Sequence, residues 1–339
     1  MAAPHSLGHR VKRIGRSKPW DTVYIMDSVN SFTHVRATAI NHIYRESKPS
    51  GRYSMLIISL VHQGVDMIHY IANNLKRFIK GSFILIVHAN GVSVNENDLP
   101  PWCWLASDTI ETSHPTTSLL HAMSSCMATA LRTIEFINCM YVSSGSVFFR
   151  DFIVPTEACV YASSHEEVFF SNKRFTYSSP IPVEHLGKCA EYLIKQGGIH
   201  YNGWQYKNYF PTGMDNDDDI QNIIKKRSTI RYIKGSHSPG QIFPYIVCKM
   251  LTEDLHEYFI KGNTYAYCLE EILPSTYSYW FACKEGIPIR KNVVYYNWLH
   301  QYIMTDINFI ENLPSICPDT YAVVKVPYEL NHPIREYFK

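Results

Sequence analysis

Ser54-Met55-Leu56-Ile57-Ile58-Ser59-Leu60-Val61, followed by His62-Gln63-Gly64, decides the fold of this chain. It is a continuous apolar run of strand length, the form taken by a strand covered on both faces. A second run of the same kind, Ser82-Phe83-Ile84-Leu85-Ile86-Val87-His88, lies a short distance downstream. Between them Val65, Ile68, Ile71, Leu75 and Phe78 recur at three- and four-residue intervals, which predicts an amphipathic helix. Strand, helix and strand make a βαβ unit, which closes right-handed onto a parallel sheet. A further pair follows, a helix over 117–134 and the run Phe136-Ile137-Asn138-Cys139-Met140-Tyr141-Val142. The expected class is therefore α/β, an open, Rossmann-like, mostly parallel sheet flanked by helices. In such sheets ligands bind outside the carboxyl ends of the strands. His62, Gln63 and Gly64 after the first strand and Ala89, Asn90 and Gly91 after the second are expected to line one crevice.

The stretch with the most chemistry is Cys268-Leu269-Glu270-Glu271-Ile272-Leu273-Pro274-Ser275-Thr276-Tyr277. It reads as the start of a helix, with Pro274 expected in the first turn, where a missing N–H costs little. Carboxylates there lie in the positive end of the helix dipole, which favours their ionised form. A carboxylate held ionised at the mouth of an α/β sheet is a candidate general base. The ordinary alternative is a pair of charges decorating a helix N-terminus.

Taken together, these pieces resemble the core-2/I-branching type of glycosyltransferase, a family with a GT-A-like fold. Residues 55–64, the helix after them and 84–90 resemble the opening strand, helix and second strand of those enzymes. The helix from Thr117 and the strand ending in Ser143-Ser144-Gly145-Ser146 resemble the next pair. Glu-Glu-Ile-Leu-Pro-Ser-Thr-Tyr is similar to their acidic catalytic motif, and Tyr321-Ala322-Val323-Val324-Lys325-Val326 looks like the strand that carries their diphosphate-binding lysine. The same order of pieces occurs in glycosyltransferase-like proteins of bacteria and of large algal viruses. The resemblance spans roughly 53–338 as short motifs in the right order.

Composition agrees with a soluble enzyme. The chain of 339 residues is 46% apolar and 14% aromatic, enough to bury one large core or two modest ones. A net charge of +2 gives no global drive toward nucleic acid or acidic membranes, and no nucleic-acid partner is expected. The 24 tyrosines suit a sugar-binding cleft, where rings stack and hydroxyls bond, and suit apolar interfaces equally. No apolar run approaches the ~18 residues of a membrane span, and no secretory leader is evident, so a cytoplasmic location is expected, host cytoplasm if the chain is viral. Membrane-anchored Golgi relatives differ in that respect. The nine cysteines show no C-x-x-C pair and read as reduced thiols, with Cys126, Cys139 and Cys248 packed in apolar elements. Residues 1–50 read as a basic arm, His9-Arg10-Val11-Lys12-Arg13-Ile14-Gly15-Arg16-Ser17-Lys18, and a segment in which Trp20, Val23, Tyr24 and Ile25 are expected to dock; 51–339 read as the catalytic domain. The arm is either a solvated, partly ordered terminus, a contact for nucleic acid or phospholipid headgroups, or an import signal.

Many glycosyltransferases hold a divalent metal with Asp-x-Asp at the end of the central strand. Here that strand runs Met140-Tyr141-Val142-Ser143-Ser144-Gly145-Ser146 with no carboxylate before Asp151. Hard cations take oxygen ligands that usually include carboxylates, so no metal cofactor is expected. The branching family also lacks that metal. Asp215-Asn216-Asp217-Asp218-Asp219 is a competing acidic cluster and reads first as a loop entering a helix. Without a metal, cations must offset the diphosphate. Arg290 and Lys291, before an expected strand at 293–296, Lys325 in a strand at 321–326, and Arg335 on a short terminal helix are the candidates. The resemblance makes Lys325 the strongest.

The expected chemistry is displacement at the anomeric carbon of a nucleotide sugar by a hydroxyl of a glycan or glycoprotein acceptor. The resemblance places Glu271 as the base, implying inversion and a uridine donor carrying xylose or N-acetylglucosamine; Glu270 is the alternative base or orients Glu271. His62, Gln63, Asn90 and Ser144 would contact the donor. Two rivals stay open. A glycoside hydrolase needs two carboxyls roughly 5–10 Å apart, with Asp108, Glu111 or Asp151 as the second. A non-catalytic carbohydrate-binding or structural protein needs neither.

Overall fold

The computed structural model describes residues 41–108, 110–112, 118–162, 227, 236–260, 269–295 and 306–339, and the backbone of short strands at 23–27, 31–35, 167–170, 173–176, 181–182 and 232–233. The chain divides into two compact units, Met1–Ile40 and Asn41–Lys339. The first contains an antiparallel hairpin, Val23–Asp27 with Ser31–Val35. The second is the α/β body. Arg45 fastens its entry segment: its N–H donates to Glu96 Oε2 at 2.7 Å, and its guanidinium reaches the carbonyls of Cys103, Leu99 and Pro100 and lies 4.6 Å over the Trp104 ring.

The body begins with β1 (Arg52–Val61), α1 (Val65–Phe78), β2 (Phe83–Ala89) and β3 (Cys103–Leu105). α2 (Ser118–Thr133), β4 (Glu135–Ser143), β5 (Val147–Phe148) and β6 (Val160–Ala162) follow. After them come β7 (Ile242–Pro244), α3 (Tyr245–Ile260), α4 (Leu269–Glu285), β8 (Ile289–Lys291) and β9 (Val294–Tyr295). α5 (Ile307–Ile316), β10 (Ala322–Val323) and α6 (Pro333–Tyr337) complete it. The seven-stranded central sheet has the order β8-β6-β7-β4-β1-β2-β3. Every pairing in it is parallel except those of β7, which runs antiparallel to both β6 and β4. The βαβ reading of 54–88 and the helix–strand pair after it hold, with bounds moved by one or two residues.

β1 shows why the run is continuous. Met55, Ile57 and Val61 pack with Ile68, Ile71 and Leu75 of α1, together with α5 and α6. Leu56, Ile58 and Leu60 pack on the other face with α2, α3 and α4. A strand covered on both sides has no polar face to alternate with. Burying each of these aliphatic side chains contributes about 1.5–3 kcal/mol. The predicted packing cysteines Cys126, Cys139 and Cys248 are buried.

Three local expectations are corrected. Pro274 lies inside α4, not in its first turn. It removes the N–H that would bond the Glu270 carbonyl, while the Ser278 hydroxyl donates to the Pro274 carbonyl at 2.6 Å. Arg290 and Lys291 do precede a strand, β9, but they also belong to a strand of their own, the edge strand β8, and Asn292 and Val293 separate the two. The strand expected at 321–326 is confined to β10, because Lys325 has a left-handed backbone with φ 65° and Pro327 follows.

The 236–241 loop enters β7 under the end of β4. Gly240 has φ +82°, and a Cβ there would come 2.1 Å from Asn292 Oδ1 and 2.5 Å from Val294. Asn292 cannot yield, because its Nδ2 donates to the carbonyls of His237 and Pro239 and its Oδ1 accepts from Val294 N–H. Gly240→Ala is expected to lose at least about 2–3 kcal/mol of stability from combined overpacking and backbone strain, read by urea unfolding; a loss under about 0.5 kcal/mol would contradict this packing.

Candidate functional site

Three chain segments meet at the carboxyl end of β4. Backbone hydrogen bonds fix their register. Tyr141 N–H donates to the Gln241 carbonyl at 3.2 Å and Gly240 N–H to the Tyr141 carbonyl at 2.7 Å, which brings the 236–241 loop alongside. Ser236 N–H donates to the Glu271 carbonyl at 2.9 Å, joining that loop to the first turn of α4. Val326 N–H donates to the Gly145 carbonyl at 3.1 Å, laying the loop after β10 on the turn after β4. Glu270, Glu271, Tyr141, His237, Ser144 and Lys325 are thereby gathered from stretches up to about 180 residues apart in sequence.

The turn 143–146 is closed on itself. Ser146 N–H donates to the Ser143 carbonyl at 2.9 Å, the Ser146 hydroxyl accepts from Ser143 N–H at 3.2 Å, and the two hydroxyls are 3.0 Å apart. Its lining is hydroxyl and backbone. Among the described residues no group of three or more His, Cys, Asp or Glu is placed to hold a metal ion. The 215–219 cluster lies outside the described residues.

The two glutamates differ in setting. Glu270 is buried, and its Oε2 has no hydrogen-bond partner. Burial, with the charge of Glu271 beside it, pushes its pKa up to about 8. Glu270 is thus a neutral acid at pH 7, opposite to the ionised state expected from the helix dipole: desolvation of a buried carboxyl outweighs a terminal dipole of about 0.3–1 kcal/mol. Glu271 is half-buried. The two adjacent carboxyls thus differ in burial, one enclosed and one reaching the surface. Tyr141 is buried at the same place, and its hydroxyl is held well above the usual tyrosine range by burial, then by Glu270, Tyr328 and Glu271.

On the other side of the turn, Lys325 is exposed while its neighbours Val324 and Val326 are buried. His237 is buried and kept neutral, its pKa lowered to about 3 by burial and then by the Lys325 charge. Tyr328 is half exposed. Its ring edge lies 3.6 Å from where a Gly145 Cβ would stand and meets the His62 ring edge-on at 5.9 Å. His62 is paired with Gln63, its Nε2 3.0 Å from Gln63 Nε2, and partial burial lowers its pKa, favouring the neutral ring.

The remaining predicted residues are placed differently. Asn90 is buried at the end of β2, and its amide donates to the Thr112 carbonyl at 3.3 Å and hydroxyl at 2.7 Å. Ser144 is buried with its carbonyl on Arg335. Arg335 is itself fully buried, and its guanidinium lies beneath the loop bearing Lys325. Arg290 and Lys291 are in β8, three strands from β4, where Arg290 donates to the Tyr161 hydroxyl at 3.0 Å. Asp151 pairs with Lys80 at 3.3 Å, at the amino end of the sheet. Sequence reading overlooked Tyr141, His237 and Tyr328. The turn signal Ser238-Pro239-Gly240 ahead of Ile242-Phe243 marked the loop but not its neighbours.

No protein-family model matches the chain, and no curated protein matches it. Among solved structures it is similar to the apo form of mouse xyloside xylosyltransferase 1, at 8% identity and a TM-score of 0.29, over 83% of this chain and 99% of that one. A likeness that remote assigns no role to any residue. Among the described residues no helix is long and apolar enough to cross a membrane.

Two outcomes follow from the geometry. The unfolded chain ionises Glu270 above about pH 4.5, while the folded protein keeps it neutral to about pH 8. Its contribution to stability is therefore greatest below pH 4.5 and is lost as pH rises toward 8. Glu270→Gln is expected to flatten that slope and to gain on the wild type by roughly a few kcal/mol between pH 5 and 8, at about 1.4 kcal/mol per pKa unit; parallel urea-unfolding curves across this range would contradict the assignment. At position 325 the left-handed backbone favours glycine. Lys325→Gly should be more stable than Lys325→Ala by about 1 kcal/mol, measured by thermal unfolding.

Proposed function

We propose that the chain is a glycosyltransferase that moves a sugar from a nucleotide-sugar donor to an acceptor hydroxyl with inversion, without a divalent metal. The observation that carries this reading is the meeting of the Glu270-Glu271 turn and the Lys325 loop across the end of β4, tied by the hydrogen bonds Ser236–Glu271, Gly240–Tyr141 and Val326–Gly145. An acid–base pair on one side and a cation on the other are what displacement of a nucleoside diphosphate needs. The resemblance to the core-2/I-branching family assigns the same two roles to these segments.

In this reading the acceptor hydroxyl attacks the anomeric carbon as the bond to the diphosphate oxygen breaks. Glu271 takes the hydroxyl proton, and Lys325 stabilises charge gathering on the departing diphosphate. In this reading a neutral Glu270 adds no second negative charge beside the base, Glu271. That avoids like-charge repulsion, and it leaves a buried O–H able to donate. The transition state has oxocarbenium character, which an adjacent carboxylate favours. The 143–146 turn presents hydroxyls and backbone, so in this reading diphosphate charge is offset by Lys325 and N–H groups instead of a metal held there. His62 and Tyr328 form the aromatic side of the crevice, suited to a base or sugar ring. A uridine donor follows from the family resemblance alone.

UDP is expected to raise the melting temperature by linkage, and EDTA to leave the shift unchanged. A shift abolished by EDTA and restored by Mn²⁺ would sink the metal-free part. Glu271→Gln should bind UDP like the wild type and transfer about 10²–10⁴ times more slowly. Full turnover in that variant, or a product with the donor's anomeric configuration by NMR, would remove Glu271 from its role.

A further inference from the structure

Arg335 has no exposed surface, although an unpaired buried guanidinium is among the least favourable groups a core can hold. Its contacts offset that cost at two of its three nitrogens, while Nη1 is buried without a hydrogen-bond partner. Nε donates to the Pro327 carbonyl at 2.6 Å, and Nη2 donates to the Ser144 carbonyl at 2.9 Å and, at 3.4 Å, to the Val326 carbonyl. These carbonyls belong to two different segments, the turn after β4 and the loop after Lys325. The guanidinium also lies 4.8 Å over the ring of Tyr70 in α1. One planar group therefore bridges the two walls that Val326–Gly145 joins by a single backbone bond.

The base of this bridge is fixed. His332 caps α6 through its Nδ1, at 3.4 Å from Ile334 N–H, with Pro333 in the first turn. Phe338 packs edge-on against Phe78 and Phe149, and its carbonyl accepts from Asn74 Nδ2 at 2.8 Å. Asn74 also exchanges two hydrogen bonds with the backbone of Phe148 in β5. α1 and β5 thus hold α6, and α6 holds the loop.

The loop needs holding, because Lys325 is the one non-glycine residue with positive φ among the described residues. Such a conformation costs on the order of 1–3 kcal/mol and persists where the surroundings over-determine it. Arg335 secures the two carbonyls that directly follow the strained residue, those of Val326 and Pro327.

We propose that Arg335 is a positioning residue: through the carbonyls of Ser144, Val326 and Pro327 it holds Lys325 in its left-handed conformation, with the ammonium presented to the diphosphate of the donor. The role rests on the donor reading above. It also moves Arg335 from an anion contact, as sequence position had suggested, to a support beneath the contact. Lysine cannot replace it, since one ammonium cannot keep the planar fork that spans both segments and lies on Tyr70.

The test is titration calorimetry of the full chain with UDP, inorganic pyrophosphate and uridine. The proteins compared are wild type, Arg335→Lys, Tyr70→Leu, Lys325→Ala and the double variant Arg335→Lys/Lys325→Ala. Tyr70→Leu loosens the guanidinium without touching it and serves if Arg335→Lys does not fold. Expected are a rise of at least tenfold in Kd for UDP and pyrophosphate in Arg335→Lys, a smaller rise in Tyr70→Leu and little change for uridine. The double variant should be no weaker than Lys325→Ala alone, because both changes remove one interaction. Hydrogen exchange at the Val326 amide should quicken in Arg335→Lys without ligand. Unchanged UDP affinity in the Arg335 and Tyr70 variants overturns the positioning role alone, as does equal loss for uridine and UDP, or additive loss in the double variant. Wild-type protein that binds neither UDP nor pyrophosphate overturns the donor reading and this role with it.

Discussion

The body of this protein depends on a strand that gives neither face to water. β1 lies between β4 and β2, and its side chains are divided between a layer containing α1, α5 and α6 and a layer containing α2, α3 and α4. Each layer must supply apolar cover for the same sheet, so helices have to return to both sides. Parallel pairing follows, since β1, β2 and β4 are linked by helical crossovers and not by hairpins. One consequence is functional: the crossovers leave loops at the carboxyl ends of the strands, and every segment of the candidate site arrives there.

β4 carries that consequence furthest. It is paired by β1 along its length to Ser143 on one side and by the antiparallel β7 at Asn138–Met140 on the other. The loop that feeds β7 is pressed beneath α4 and held by two side-chain amides: Gln241 Nε2 donates to the Ser236 and His237 carbonyls, and Asn292 Nδ2 to those of His237 and Pro239. Satisfying the carbonyls of a buried loop from side chains leaves it rigid. A rigid loop is what fixes the height of Glu271 above the sheet.

Burial then sets the chemistry in two opposite ways. Glu270 loses its charge because burial and the Glu271 charge outweigh the one backbone hydrogen bond it receives, and its Oε2 remains without a partner. Arg335 is pulled below its ordinary pKa by the same desolvation, but carbonyls accept from its Nε and Nη2, leaving Nη1 alone without a hydrogen-bond partner. A carboxyl can neutralise itself by taking a proton at neutral pH, whereas a guanidinium stays charged and must be coordinated. The acid therefore becomes a neutral partner of Glu271, and the base becomes a structural tie under the cation.

The sequence by itself determined the α/β class, the βαβ unit at 54–88, the helix–strand pair after it, and α4 with two carboxylates in its first turn. All of these rest on local periodicity, which survives folding because the sheet must be covered on both faces. It also singled out Lys325 and Arg335. It could not reveal that Pro274 is interior to its helix, that β10 ends two residues before Lys325, or that Arg290 belongs to an edge strand three places from β4. Nor did spacing show that Glu270 is the buried member of the pair and Glu271 the half-buried one. Only the tertiary structure decided those matters, because proton affinity and reach depend on which atoms replace water around a group. For Glu270 those surroundings include Glu271 and a buried pocket, and for Lys325 a carbonyl tie from a residue ten positions on, neither of which spacing along the chain records.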